Sequence, residues 1–456
     1  MNQHYDVIIV GSGLSGLSVA QFLHARQPEL KVVLLEKGGR AGGAVQSFQQ
    51  GEYRAEWGPH GFLDNCPEGQ ELIRAAGLED RVQKAPLGQF ARYLCQQGRL
   101  VELPQNPKKF LLSPILSPFA KLRLLGDLWI RPELTEQAIG PWASHRFGQA
   151  ILPLVDAAIT GSFAGDYQRL SMDAVMPGVR NLEKEHGSVL RGLLRQRKAA
   201  AGKAVGLPAM QNFPNGMEEL TTSLARNKDI RFQCQVDAIA RDEDGWAVQA
   251  GAQRLQGRRL VIALPVNAAL ALLTSLAQPP VPEIPVARIA NVVMGFARAD
   301  IPKAFGCLAP EQEKRFCLGA MFSSAMFPDR APAPMVLLEA LVGGRRHPER
   351  LKLADDELIR LAYKDLKTLL PLPEPPNFVQ VLRPSNGIPQ MEMGHVNLLA
   401  WRDGLQERHP DLYISGFGWD GIGMNEMIKH GSRVARAIAD NLRDEPAPAA
   451  VRPVYF

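Results

Sequence analysis

The clearest chemistry in the chain lies near its start, in Gly11-Ser-Gly13-Leu14-Ser15-Gly16. The apolar run Val7–Val10 comes before it, and a helix-like pattern over Leu14–Arg26 begins within it. Gly11 suits a tight turn, Gly13 lets backbone approach a pyrophosphate, and Gly16 lets helix and strand pack closely. With Leu14 and Ser15, these residues put free N–H groups at the positive end of a helix dipole, where a phosphate is stabilised. Glu36, followed by Lys37, ends the next strand-like run 20 residues after Gly16. A carboxylate there can accept hydrogen bonds from ribose hydroxyls. The pattern therefore points to a dinucleotide.

Arg40-Ala-Gly42-Gly43 comes next, followed by Glu56-Trp-Gly58-Pro59-His60. An R-x-G-G step of this kind resembles the glutathione-reductase-like FAD superfamily, in which it continues the pyrophosphate and flavin cradle. A plain surface cation at Arg40 would read the same way. A second cluster, Gly416-Phe-Gly418-Trp-Asp-Gly421-Ile422-Gly423, precedes a helical pattern that starts at Met424. Only 33 residues follow Gly423, with no second strand and no acid at a strand end, so a separate nicotinamide site is not expected. The better reading closes this loop over the flavin and aims the last helix's N-terminus at the ring, stabilising developing negative charge. Without a nicotinamide domain, electrons pass to oxygen or another acceptor.

These groups need a scaffold. Tyr5–Val10, Leu14–Arg26 and Lys31–Glu36 read as one βαβ unit. A helical pattern near Glu68–Ala76 follows, then a mainly helical stretch from Pro104 to Ala204. Strand-like runs return at Ile230–Gln235, Trp246–Gln249, Leu260–Leu264 and Leu412–Ser415, and a last helix spans Met424–Asn441. A chain of 456 residues exceeds one ordinary core, so two or three domains are expected.

The composition, 46% hydrophobic and 22% charged, is that of a soluble globular protein. Lys+Arg 52 against Asp+Glu 47 gives +5, a weak pointer to anionic substrates or an anionic membrane surface and none to nucleic acid. The five cysteines are scattered, with no C-x-x-C, which fits neither a disulfide framework nor a metal site and suggests a reducing cytoplasm. No signal peptide is expected, and no stretch reaches the roughly 18 to 20 apolar residues of a membrane span. Asn106–Arg131 mixes Phe110, Leu111, Leu112, Phe119 and Trp129 with Lys108, Lys109, Lys121, Arg123 and Arg131. That suits a segment lying on lipid at the inner face of a membrane; a buried helical hairpin with solvated cations fits equally well.

Further motifs run along most of the chain. They include Arg92-Tyr93 with Gly98 and Leu103-Pro104, Gly161-Ser-Phe-Ala-Gly165-Asp166 through Leu170-Ser171, and His186-Gly187-Ser188. Phe213-Pro-Asn-Gly216-Met217, Leu318-Gly319 through Phe327-Pro328, and Ile388-Pro389-Gln390 with Gly394-His395 follow. With these the chain resembles the FAD-dependent, oxygen-using protoporphyrinogen oxidases. Asn215 stands where the family usually has glycine, and Met391 where it often has tyrosine.

The resemblance implies an α/β fold. A glutathione-reductase-like FAD-binding Rossmann domain (1–64, 226–267, 407–447) would interleave with a mixed-sheet substrate domain (65–104, 205–225, 268–406). A helical, membrane-facing insert (105–204) and a tail (448–456) would complete the chain. It implies non-covalent FAD, a porphyrinogen substrate, O2 as acceptor, and contact with the next haem-pathway enzyme, and it leaves a homodimer open. It also implies that Arg92 pairs with a propionate and that the Gly161 carbonyl lies near the pyrroles. Val236 falls where backbone meets the adenine. A surface arginine, a turn glycine and a core valine would look alike. His60 receives no chemistry, His395 reads as structural, and no general base is evident. Amine oxidases and carotenoid desaturases share the FAD domain and are the nearest rivals. A non-catalytic porphyrin-carrying scaffold is a more distant alternative. Cysteine-tethered flavin is not expected, because no cysteine follows Cys317.

Overall fold

The computed structural model describes residues 4–199, 207–297, 299–373 and 375–440. The expected tail, the end of the last helix at Asn441 and the boundary near 204 lie outside the described residues.

Val7–Val10 is apolar on both sides because it becomes the middle of a sheet buried on both faces. The strand His4–Val10 pairs in parallel with Val32–Leu35 on one side and Gln253–Ile262 on the other. Gln253–Ile262 also pairs in parallel with Leu412–Ile414, and its first half continues antiparallel into Gly245–Ala250 and Ala238–Asp242. Val7 and Ile9 face a core shared with the helices Leu14–Arg26 and Met424–Ala439. Tyr5, Ile8 and Val10 face the opposite core, which takes in the helices Val266–Leu273 and His395–Arg408. This is a three-layer α/β arrangement.

The expected strand Ile230–Gln235 shrinks to Ile230–Arg231. Gln233 adopts φ +51°, and the chain bends so that Gln233 N donates to Gly38 O and Cys234 N to Glu36 O. The segment thus follows the end of the Glu36 strand and brings Val236, half-buried, alongside it.

A second seven-stranded sheet runs in the order Phe378–Leu382, Ile289–Ala297, Met335–Gly343, Gly319–Met321, Ala304–Leu308, Ala91–Gln96, Arg99–Glu102. Its strands are antiparallel apart from the parallel pair Ala304–Leu308 and Ala91–Gln96. Tyr93, Cys307, Ala320, Leu338 and Val292 form one core with the helix Asp355–Lys367. The alternating residues between them must therefore face the other side.

Between Pro107 and Ala199 the regular elements are helical, with Pro107 and Pro118 in first turns where no N–H bond is lost. Buried charges tie this lobe together: Arg146 pairs with Asp127 and, at 2.9 Å, with Glu183, which also accepts from Trp142 Nε1 at 2.7 Å. Among the described residues no helix is long and apolar enough to cross a membrane.

Candidate functional site

The first glycine loop is closed by backbone. A Cβ at Gly16 would stand 2.0 Å from the Gly11 carbonyl, so only glycine lets the helix begin this close to the strand. Leu14 and Ser15 are buried in the first turn. Gly42 N donates to Ser12 O at 2.8 Å, and Gly13 and Gly42 form a bridge, so the two glycine turns meet back to back. Glu36 holds the arrangement from the next strand: its Oε2 accepts from Ser12 N (3.0 Å) and Ser12 Oγ (2.8 Å), its Oε1 from Gly38 N (2.8 Å). Lys37 points into solvent as an exposed cation.

Arg40 is more than a surface cation. It donates to the carbonyls of Ala41, Val45 and Gly43 and to Gln46 Oε1, and it lies 3.6 Å from Glu218. It is the pin of the 41–46 turn. Gly58 abuts that turn, its absent Cβ 2.0 Å from the Ala44 carbonyl, which carries Pro59 and His60 to the rim of the cradle.

The second glycine loop reaches the same place. The helix Met424–Ala439 crosses Leu14–Arg26 closely enough that a Cβ on Gly431 would sit 2.6 Å from Ser18 Cβ. Its N-terminus, capped by Gly423, is therefore set beside the first loop, with Gly416, Gly421 and Ile422 leading into it and Met424 buried at its start. Asp420 anchors the turn through Arg402 (2.5 Å) and His430 (3.1 Å). Burial alone would raise the Asp420 pKa, but Arg402 and His430 together hold it down to about 2. His395, buried, lies 3.4 Å from the Trp419 carbonyl, and burial lowers its pKa; it supports this turn from behind.

These glycine turns offer bare backbone N–H groups, a carboxylate and a helix N-terminus, the features that receive a dinucleotide. Residues 14–439 match the family described as flavin-containing amine oxidoreductases. The chain belongs to that family. It is an oxidoreductase with FAD as its cofactor, and the cradle fits that group: its two glycine turns meet beside a helix N-terminus, and a Cβ at Gly13 would find only Gly43 Cα, at 3.9 Å. The mitochondrial protoporphyrinogen oxidase of Nicotiana tabacum is 27% identical, covering 96% of this chain and 95% of its own. The coproporphyrinogen III oxidase of Staphylococcus aureus is 25% identical, covering 96% and 99%. A crystal structure from Exiguobacterium, provisionally named protoporphyrinogen oxidase, overlays with a TM-score of 0.78 at 20% identity, covering 97% and 100%. At that identity the overlay speaks for the fold.

The expected substrate residues, Arg92 and Gly161, converge on this flavoprotein's second sheet. Arg92 lies opposite Gly306, and Leu94 opposite Leu308. Gly161 belongs to the helix Leu152–Phe163 rather than to a turn, and a Cβ there would stand 2.9 Å from Leu308 Cδ1. Leu94 and Leu308 pack with Leu154 and Ala157 of the same helix, so Arg92, two residues from Leu94, faces that side too. Gly161 is in the last helical turn, whose carbonyls lack intrahelical donors. The register continues across the sheet: Arg92, Gly306, Met321, Glu339 and Val293 form one row on this face. Arg92, Gly306 and Met321 are half-buried, Glu339 fully buried.

At the Glu339 end lies a polar cluster that sequence reasoning missed. Glu56, buried, accepts from Ser47 Oγ (2.6 Å), Asn212 Nδ2 (3.1 Å) and Met217 N (3.1 Å) and lies 3.4 Å from Arg330. Burial raises its pKa against the pull of Arg330. Glu339 meets His60 at 2.9 Å and accepts from Ser323 Oγ and Asn291 Nδ2. A cavity of about 10 Å³ lies among Glu56, His60, Asn212, Ser323, Arg330 and Glu339, room for one water. Glu339 was findable: it is the lone acid in Met335–Gly343 (MVLLEALVG), and a charge in an apolar strand implies a partner. Among the described residues no group of His, Cys, Asp and Glu could hold a metal ion.

Proposed function

We propose that this flavoprotein oxidises protoporphyrinogen IX to protoporphyrin IX, removing six electrons in three two-electron rounds with O2 as final acceptor and H2O2 as product. Coproporphyrinogen III is the alternative substrate. The observation that carries the reading is the convergence of Arg92 and Gly161, far apart in sequence, on the strand Ala304–Leu308. The names of the two curated relatives agree with a porphyrinogen substrate, one with each of the two candidates.

In this reading the cofactor segments 1–64, 226–267 and 407–447 hold FAD through Gly11, Gly13, Leu14, Ser15, Gly16, Glu36, Lys37, Arg40, Gly42 and Gly43 near the phosphates and ribose. Val236 lies near the adenine, and Gly58, Pro59, His60, Gly416, Gly421, Ile422 and Met424 lie near the ring. When bound, FAD supplies the two-electron acceptor. Arg92 pairs with a propionate, a bidentate match for a guanidinium. The Gly161 carbonyl meets pyrrole N–H groups, and the side-chain-free Gly306 leaves a low floor for a flat macrocycle.

We also propose that the helical segment rests on an anionic lipid surface. Leu112 (88% exposed), Phe119 (85%) and Trp129 (78%) stand among Lys108, Lys109, Arg123 and Arg131, an arrangement that suits the headgroup boundary. Phe110, Ile115 and Leu116 of this segment share a cluster with Leu94 and Leu308, so lipid contact and substrate floor are neighbours.

The test is turnover of the FAD-loaded protein with each porphyrinogen, read as porphyrin fluorescence and peroxide. Fast product from protoporphyrinogen IX is expected. A clear preference for coproporphyrinogen III transfers the assignment to the alternative, and failure of both to reduce the flavin anaerobically overturns it.

A further inference from the structure

Of the buried cluster under the Gly58–Gly61 loop, only His60 enters the reading above, as a residue near the ring. His60 uses Nε2 for Glu339, and among the described residues nothing bonds its Nδ1. Glu339 cannot turn away, because Ser323 and Asn291 hold it and its side chain is only 2% exposed. His60 keeps 17% exposure. An imidazole fixed by a carboxylate on one nitrogen and open on the other is the arrangement of an oriented proton acceptor.

The other charged groups around the ring are Glu56 and Arg330, themselves 3.4 Å apart. With both carboxylates ionised and His60 neutral, the cluster holds two negative charges and one positive. A proton on His60 brings it to balance. His60 and Glu339 line one cavity with Met321. Glu339, Met321, Gly306 and Arg92 are successive members of one cross-strand row, so the dyad and Arg92 are about 14 Å apart at 4.7–4.9 Å per strand.

We propose that His60, oriented by Glu339, accepts the proton that each oxidation round takes from the substrate; the proposal rests on the porphyrinogen reading. In each round a carbon-bound hydrogen leaves the substrate with its electron pair for the cofactor. In two of the three rounds a pyrrole N–H breaks, and in the other the C–H of the remaining meso carbon; the electron pair of that bond stays on the substrate to close the new double bond, and the proton forms an N–H on His60 Nδ1. His60 then releases that proton to water, restoring the neutral ring for the next round. Burial pushes the His60 pKa down, but the Glu339 carboxylate outweighs it and leaves the group above its ordinary value. The neutral, accepting form is therefore lost as pH falls through a range raised above the ordinary histidine value.

The experiment follows anaerobic flavin reduction by the porphyrinogen in stopped flow across that range, for wild type, His60→Gln and Glu339→Gln holoproteins. Ring NMR of His60 is recorded beside it. Wild type should lose rate on the acid side. His60→Gln should reduce about 10²- to 10⁴-fold more slowly with KM unchanged and no acid limb. Glu339→Gln should move both the limb and the His60 titration to lower pH. If Glu339→Gln does not fold, His60→Gln decides alone. A His60→Gln protein that keeps its rate and acid limb overturns the proposal. If wild type is not reduced at all, the porphyrinogen reading fails instead.

Discussion

Glu36→Gln probes how the cradle is held without adding or removing bulk. The native carboxylate receives three donors: Ser12 N and Ser12 Oγ on Oε2, and Gly38 N on Oε1, at 2.8 to 3.0 Å. Glutamine keeps one oxygen and turns the other position into a donor. Whichever way the amide is flipped, an NH2 then faces either Gly38 N–H or Ser12 N–H. One charge-assisted hydrogen bond is lost outright, worth about 1.5 to 3 kcal/mol. The half-exposed site tempers this, so about 2 kcal/mol is expected, and it falls on the loop that must be formed before FAD binds. Since 1.4 kcal/mol is tenfold in affinity, the FAD Kd should rise about 30-fold. Reconstitution of apoprotein with FAD, followed by flavin fluorescence or calorimetry, measures it. A Kd within threefold of wild type, with the fold intact, would refute the argument that Glu36 sets the loop.

Other consequences are as specific. Arg146→Met leaves Asp127 and Glu183 buried without their shared cation. Breaking such a pair costs about 3 to 5 kcal/mol, and the lower end is expected because Asp127 keeps Ser188 and Leu190 as donors and Glu183 keeps Trp142 and Arg180; urea unfolding of the holoprotein reads it. The Asp420 carboxylate, depressed to about 2, adds stability that is present above its unfolded pKa and fades as pH falls through the folded one. Flavin release should therefore steepen between about pH 4 and 2 in wild type, and Asp420→Asn should lack that step. Replacing Phe119 and Trp129 by glutamate should abolish sedimentation with anionic vesicles while leaving flavin content unchanged.

The parts of the fold written in local signals were legible. Leu14–Arg26 has the limits its sequence suggested, because a glycine loop starts it and the apolar spacing fades at Arg26. The strand at Ile230 failed since its apolar spacing says nothing of the bend at Gln233, which hydrogen bonds to Glu36 and Gly38 impose. Gly161 illustrates a different gap: its helix was in reach, but the reason for a glycine there is Leu308, on a distant strand. The polar cluster was least legible. His60 and Glu339 are 279 residues apart, and Glu56 and Asn212 are 156 apart. No local period encodes such pairs, and the only trace is the lone acid in an apolar strand.

Glu56 shows why the two sheets act on one another. Within five residues the chain passes from Glu56, through Gly58 against the Ala44 turn, to His60 against Glu339. One short segment therefore touches both the cofactor cradle and the substrate sheet, and Glu56 is what fixes it. In Glu56→Gln the remaining oxygen can still receive Asn212 and Met217, and Ser47 Oγ can accept from the new amide. What cannot be replaced is the charge opposite Arg330, buried at 3% exposure with the Phe213 carbonyl and the face of the Phe327 ring as its other contacts. The cost should be about 3 kcal/mol, that of a buried cation left without its partner. Since Glu56 also helps hold a proton on His60, its neutralisation should move the acid limb of flavin reduction downward. FAD affinity should fall with stability, because a displaced segment loosens Gly58 from Ala44. A variant that loses stability but binds FAD like wild type would show that the segment does not couple the two sites.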